Sequence, residues 1–226
     1  MVTAGVFVLL FLAWQLWIND RIVAAEQSHI AEEVTLEWSK SLGVGSKPAE
    51  AGSQEPPPPI AAVGHAQIFA TLIVPRWGQD YTAAIAEGVT LDDVLNTIGL
   101  GHYPGTAMPG DVGNFAVAGH RTTWGSPLWA IEQLRPGDAL YVETSEGWYR
   151  YIYRSREYVL PDGVDVLQAV PQMPGAAPGD RVMTLTSCNP RYSAQERYIA
   201  YAVFDTWFPR ADGPPAEIAD RYEGVA

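Results

Sequence analysis

The chain contains a single cysteine, Cys188, at the end of the run Val182-Met183-Thr184-Leu185-Thr186-Ser187-Cys188. A lone cysteine cannot form an internal disulfide, and its plain reading is a small buried hydrophobe. Its setting points elsewhere. The run before it is rich in β-forming residues and Asn189-Pro190 follows, so the thiol stands at the mouth of a strand where a loop begins. Loops carried on a rigid scaffold are where catalytic groups concentrate. Arg197 opens the next β-rich segment, and if the two strands pair as neighbours, Cys188 and Arg197 lie side by side. His120 ends a third short strand, Phe115-Ala116-Val117-Ala118-Gly119.

Together these three side chains suffice for amide exchange. A free thiol, with a pKa of about 8.5, is only a few per cent thiolate at neutral pH and needs help. A nearby imidazolium and guanidinium stabilise the charged form. A guanidinium keeps its proton and can donate to the oxygen that becomes negative during acyl transfer. Histidine can protonate the leaving amine and later deprotonate an incoming one. Arg191, inside the loop after Cys188, is the rival cation and reads better as a solvated loop charge or a substrate contact.

The elements that must position these groups follow from composition and pattern. Residues 1–18 carry no charged side chain. At about 1.5 Å per residue they give roughly 27 Å, enough for an uncleaved transmembrane anchor. Residues 19–59 read as a stalk, with a juxtamembrane helix and a Gly/Pro-rich spacer ending in four prolines. Residues 60–210 read as the folded catalytic domain and residues 211–226 as a polar, poorly ordered C-terminal tail. Within the domain, Gln67 to Val74 is β-rich, and Ala139–Thr144 and Trp148–Arg156 form a hairpin across Ser145-Glu146-Gly147. Thr90 and Asp93 suggest a capping box, and Ser126-Pro127 opens a short helix with Leu128, Ile131 and Leu134 on one face. Six to eight short strands with two or three short helices predict a closed, mostly β barrel. The net charge of −12 argues against a nucleic-acid partner. No His/Cys/Asp/Glu spacing suggests zinc, and no metal or other cofactor is expected.

Two segments carry a family resemblance. Val117–Asp138, VAGHRTTWGSPLWAIEQLRPGD, resembles the histidine motif of sortases, and Thr184-Leu185-Thr186-Ser187-Cys188 with Arg197 resembles their TLxTC signature with its downstream arginine. Ser187 stands where threonine is usual and keeps the hydroxyl. His102-Tyr103-Pro104-Gly105-Thr106 and the run into His120 look like class E sortases of high-GC Gram-positive bacteria, across about residues 60–208. The resemblance implies an eight-stranded sortase-type β-barrel with short helices, held outside the cell membrane by a single N-terminal transmembrane helix. It implies His120, Cys188 and Arg197 as catalytic residues, and Tyr103 as a loop residue facing substrate; Trp124 is expected to wall the cleft and Ser187 to contact substrate. It also implies cleavage between Thr and Gly of an LAxTG-like C-terminal sorting signal on a partner protein, and transfer of the acyl group to a peptidoglycan precursor amine.

Two other functions compete. An L,D-transpeptidase-like cysteine enzyme would need His and Gly just before the nucleophile, where this chain has Thr186-Ser187. A membrane-tethered, non-catalytic β module for adhesion or assembly would tolerate loss of Cys188.

Overall fold

Strand-forming runs whose alternate residues are apolar have to bury one face, and eight of them here close on one another. The computed structural model describes residues 5–7, 10–11, 14, 19–45 and 47–222. Its strands are β1 (Ile68–Ile73), β2 (Thr82–Glu87), β3 (Gly99–His102), β4 (Gly113–Gly119), β5 (Ala139–Glu143), β6 (Gly147–Val159), β7 (Arg181–Asn189) and β8 (Glu196–Pro209). They form a closed barrel in the order β1-β2-β3-β4-β7-β8-β6-β5. The barrel is mixed, because β2 pairs with β3, and β4 with β7, in parallel. Closure removes the unpaired edges an open sheet would expose.

Alternation sorts the side chains. Leu72, Ile85, Phe115, Val117, Met183, Leu185, Tyr198 and Ala200 are buried in the central core. Each fully buried Leu, Ile or Phe contributes about 1.5–3 kcal/mol. Residues of the opposite parity on β4, β7 and β8 therefore face outward, and these include His120 just past β4, Cys188 and Arg197. The register fixes the site as firmly as the core fixes the barrel, since a slip of one residue would turn all three inward.

The predicted β1 run, the hairpin and the strands around Cys188 and Arg197 form as read. Two strands, β2 and β3, lie where sequence reading assigned none. Leu128, Ile131 and Leu134 are buried as read, on turns with a 3₁₀ segment at Ile131–Gln133. The capping box does not form: Thr90 donates its hydroxyl to the Asp93 carboxylate, beside a π-helical turn at Leu91–Leu95.

The flanking segments depart further from expectation. The stalk begins with helix α1 (Asn19–Leu42), which packs on β2 rather than standing free. Beyond it, the spacer also lies on the barrel: Ser53 N–H donates to Trp207 O at 2.8 Å, and Trp207 Nε1 donates to Glu55 O at 2.7 Å. Residues 211–222 are not a loose tail. A 3₁₀ segment at Ala216–Tyr222 buries Ile218 and Tyr222 against Trp148, Phe208, Tyr141 and Ile73. Two apolar anchors at helical spacing hold this segment despite its polar composition. The predicted anchor, residues 1–18, lies largely outside the described residues; among the described residues no helix is long and apolar enough to cross a membrane.

Candidate active site

Cys188 and Arg197 are cross-strand partners in the β7–β8 ladder. On the other side of β7, β4 runs parallel with Ala118 opposite Thr186. Continued by two residues, past the end of β4, that register brings His120 to the same end of the barrel as Cys188. Ser187, of inward parity, is buried and donates its hydroxyl to Gly119 O at 2.8 Å, tying β4 to β7 one residue before both functional groups. Its hydroxyl is thus bonded within the scaffold, whereas the sequence reading expects it to contact substrate.

His120 is half-buried, and its Nε2 lies 2.8 Å from Asn96 Oδ1. A carbonyl oxygen only accepts, so Nε2 carries the proton and Nδ1 is left as the acceptor of the neutral ring. Burial lowers the His120 pKa below the ordinary value of 6.5, and the negative charge of Asp20 pulls the other way. At pH 7 the neutral imidazole therefore predominates, the form needed to take a proton from the thiol.

Arg197 Nη1 donates to Ala194 O at 3.0 Å and to Glu196 O at 3.1 Å. These carbonyls hold the guanidinium at the mouth of the β7–β8 connection. No carboxylate within salt-bridge distance neutralises it among the described residues. Arg191 differs. It is ion-paired with Glu132 and stacked on Trp129, 3.9 Å from the ring centroid. Its charge is spent on the loop, whereas Arg197, the cross-strand partner of Cys188, has no such carboxylate among the described residues.

Other residues were not singled out from the sequence. Asn96 orients His120 from the turn after β2, and only the fold brings it there. Arg121 is buried directly after His120; it donates to Cys188 O at 3.3 Å, to Asn189 Oδ1 and to Glu132, and lies 5.2 Å from the Tyr198 ring centroid. It thus links the backbone around Cys188 to the histidine loop. Its adjacency to His120 was the only available signal.

Tyr103 donates or accepts a 2.9 Å hydrogen bond with Thr186 Oγ1, which shares the outward face of β7 with Cys188. Trp124, in the loop after His120, is 46% exposed, so it is free to flank a cleft. His102 is a structural residue: its ring is buried, bonded to Glu87 and Ala107 O, and stacked on Phe115.

A closed mixed barrel with cysteine, histidine and arginine on the outward ends of three adjacent strands defines the class to which this protein belongs, that of barrel enzymes with a cysteine nucleophile. The sortase domain family matches residues 72–205, and the chain belongs to the sortase family, whose members are cysteine transpeptidases. Sortase SrtE1 of Streptomyces coelicolor is 34% identical over 220 residues, covering 95% of this chain and 58% of that protein; the chain thus spans little more than half of that relative's length. Among solved structures, the SrtA sortase from Actinomyces oris matches with a TM-score of 0.69 and 36% identity, over 74% of this chain and 96% of that one. Sortase E1 from Streptomyces coelicolor with a tripeptide in the active site matches with a TM-score of 0.62 and 37% identity, over 68% of this chain and 97% of that one. The class E resemblance read from the sequence is therefore shared with class E relatives.

Proposed function

We propose that this chain is a transpeptidase that opens an LAxTG-like sorting signal between Thr and Gly and transfers the acyl-protein to a cell-wall precursor amine. The observation that carries this reading is the direct pairing of Cys188 with Arg197, with His120 on the adjoining strand end of the same face.

The chemistry runs in two halves. Neutral His120 takes the Cys188 proton through Nδ1, and the thiolate attacks the threonine carbonyl carbon. Arg197 donates to the oxygen as it becomes negative, using N–H groups beyond the Nη1 bonds that fix it. The C–N bond breaks as imidazolium returns its proton to the glycine nitrogen, leaving a thioester on Cys188. An incoming amine then attacks that thioester, losing its proton to His120, and the thiol is released. Asn96 accepts from Nε2 in both the neutral ring and the imidazolium, so the proton that moves is the one on Nδ1.

Tyr103 and Trp124 line this face and are assigned to the peptide side of the cleft. Residues 1–18 have the length and apolarity to hold the domain at the outer face of a membrane, where both sorting signals and wall precursors reside. The acidic surface suits an amine-bearing acceptor.

Incubating the protein with an LAxTG-like peptide, followed by mass spectrometry of the Cys188 peptide, tests the reading. A thioacyl adduct, absent in Cys188→Ala, is expected. No adduct with any sorting-signal peptide, on a thiol that iodoacetamide still alkylates, would sink it.

A further inference from the structure

The loop after His120 is held by a segment that sequence reading treated as stalk. Asp20, in the first turn of α1, accepts from Gly125 N–H at 2.9 Å through Oδ1 and from Ser126 Oγ at 3.1 Å through Oδ2. Gln27, seven residues on and so on the same helix face, donates from Nε2 to Trp124 O at 3.1 Å. Gln27 is itself buried. It fills a slot between two glycines: a Cβ on Gly125 would fall 2.2 Å from Gln27 Oε1, and one on Gly99 of β3 would fall 3.2 Å from it.

What these contacts hold is unusual backbone. Trp124, Gly125 and Ser126 have φ of +53°, +81° and +50°, three successive residues in the left-handed region, two of them with side chains. Such a run is unfavourable for residues bearing Cβ and persists only where its surroundings dictate it. The same loop returns to the histidine: Leu128 N–H donates to the His120 carbonyl at 3.0 Å. Its path therefore bears on where the imidazole stands.

We propose that α1 is a positioning element of the active site, in which Asp20 and Gln27 clamp residues 124–126 in their left-handed conformation and so fix His120 against Cys188. The inference rests on His120 being the acid/base group. Asp20 from α1 is the charged group that acts on the imidazole, and neutral Asn96 sits at Nε2; Cys188 and Arg197 stand on the neighbouring strands β7 and β8, and Arg121, next in the chain, turns to Cys188 O and Glu132. Asp20 is the one acid in this set. Its charge offsets part of the effect of burial on His120.

The test uses the full chain with Asp20→Asn, Asp20→Ala and Asp20→Ala/Gln27→Ala, in two assays: turnover of an LAxTG-like peptide, and the rate of iodoacetamide alkylation of Cys188 against pH. Asp20→Ala/Gln27→Ala is expected to lower kcat about tenfold with KM within about twofold, as removal of a positioning contact does. Asp20→Asn keeps an acceptor for Gly125 while losing the charge. It is expected to retain more of kcat yet move the histidine limb of the alkylation profile to lower pH. Thermal unfolding of each variant separates these effects from loss of fold, and the isosteric Asn variant stands in if the double variant unfolds. Unchanged kcat and an unchanged alkylation profile, with wild type active, overturn the proposal. If wild type cleaves no peptide, the transpeptidase reading fails instead, and the alkylation profile still decides the clamp: a shifted limb upholds it and an unshifted one removes it.

Discussion

Cys188 and Arg197 oppose one another across the β7–β8 ladder, and the Arg197 guanidinium is braced by the carbonyls of Ala194 and Glu196. Opposed cross-strand residues lie about 4.5–5.5 Å apart at Cβ. A charge so placed can serve both the thiolate and the oxygen of a tetrahedral intermediate. Arg197→Ala should lower kcat about 100-fold or more, the scale of one lost oxyanion donor. Arg197→Lys keeps the charge but loses the fork, so most of the activity should go with it. Peptide-cleavage kinetics decide the matter. Near-wild-type rates for Arg197→Lys together with a collapse for Arg191→Ala would transfer the role to Arg191.

Asn96 is expected to matter without touching substrate. Its bond to His120 Nε2 selects the tautomer that leaves Nδ1 free. One hydrogen bond is worth about 1 kcal/mol net, so Asn96→Ala should slow turnover about five- to tenfold. Because only orientation is lost, KM should hold and Asn96→Gln should not restore the rate. The imidazole NMR signals of the two variants would report the tautomer directly. An unaltered tautomer in Asn96→Ala would remove Asn96 from the mechanism.

Burial of His120 also has a consequence for stability. Its folded pKa lies below the ordinary value because burial disfavours the imidazolium, with Asp20 opposing in part. The unfolded chain therefore binds this proton more readily than the folded one. The contribution to stability is complete above the unfolded value of about 6.5 and is lost as pH falls through the folded pKa. Unfolding temperatures of wild type and His120→Gln, measured from pH 7.5 down to pH 5, should differ in slope. Wild type should lose stability faster below about pH 6.5. Parallel curves would mean that His120 titrates alike in both states.

Cys188, Arg197 and the hairpin at 145–147 were legible because local signals agreed: β-rich runs, turn residues and short spacing. Strand β2 was not, because Thr82–Glu87 is buried on both faces, by the core inside and by α1 outside, which erases the alternation that marks a half-buried strand. Strand β3, Gly-Leu-Gly-His, is only four residues long, and its glycines read as loop. Helix α1 escaped notice as part of the domain because the residues it buries are Gln27, Ala31 and Ser39, polar or small residues that leave little apolar stripe. Asn96 and Arg121 are ordinary polar residues in sequence. Only the register that brings the turn after β2 and the start of the histidine loop to the end of β7 gives them work.

The C-terminal segment supplies a last prediction, about how the end of the chain is joined to the barrel. Glu143, at the end of β5, is fully buried. It accepts from Arg210 Nη2 at 2.7 Å, from Tyr222 OH at 2.7 Å and from Thr35 Oγ1 of α1 at 3.1 Å. Trp148 Nε1 donates to the same Tyr222 oxygen at 2.7 Å. One carboxylate thus joins the barrel, α1 and the last described turn. Removing it strands the buried Arg210 guanidinium, so Glu143→Ala should cost about 3–5 kcal/mol. Tyr222→Phe keeps the ring and loses a hydroxyl that serves two partners, a cost of about 1–3 kcal/mol. Urea unfolding of both variants checks the ranking. A loss for Tyr222→Phe as large as that for Glu143→Ala would mean that the tyrosine hydroxyl, rather than the ion pair, holds this end of the molecule together.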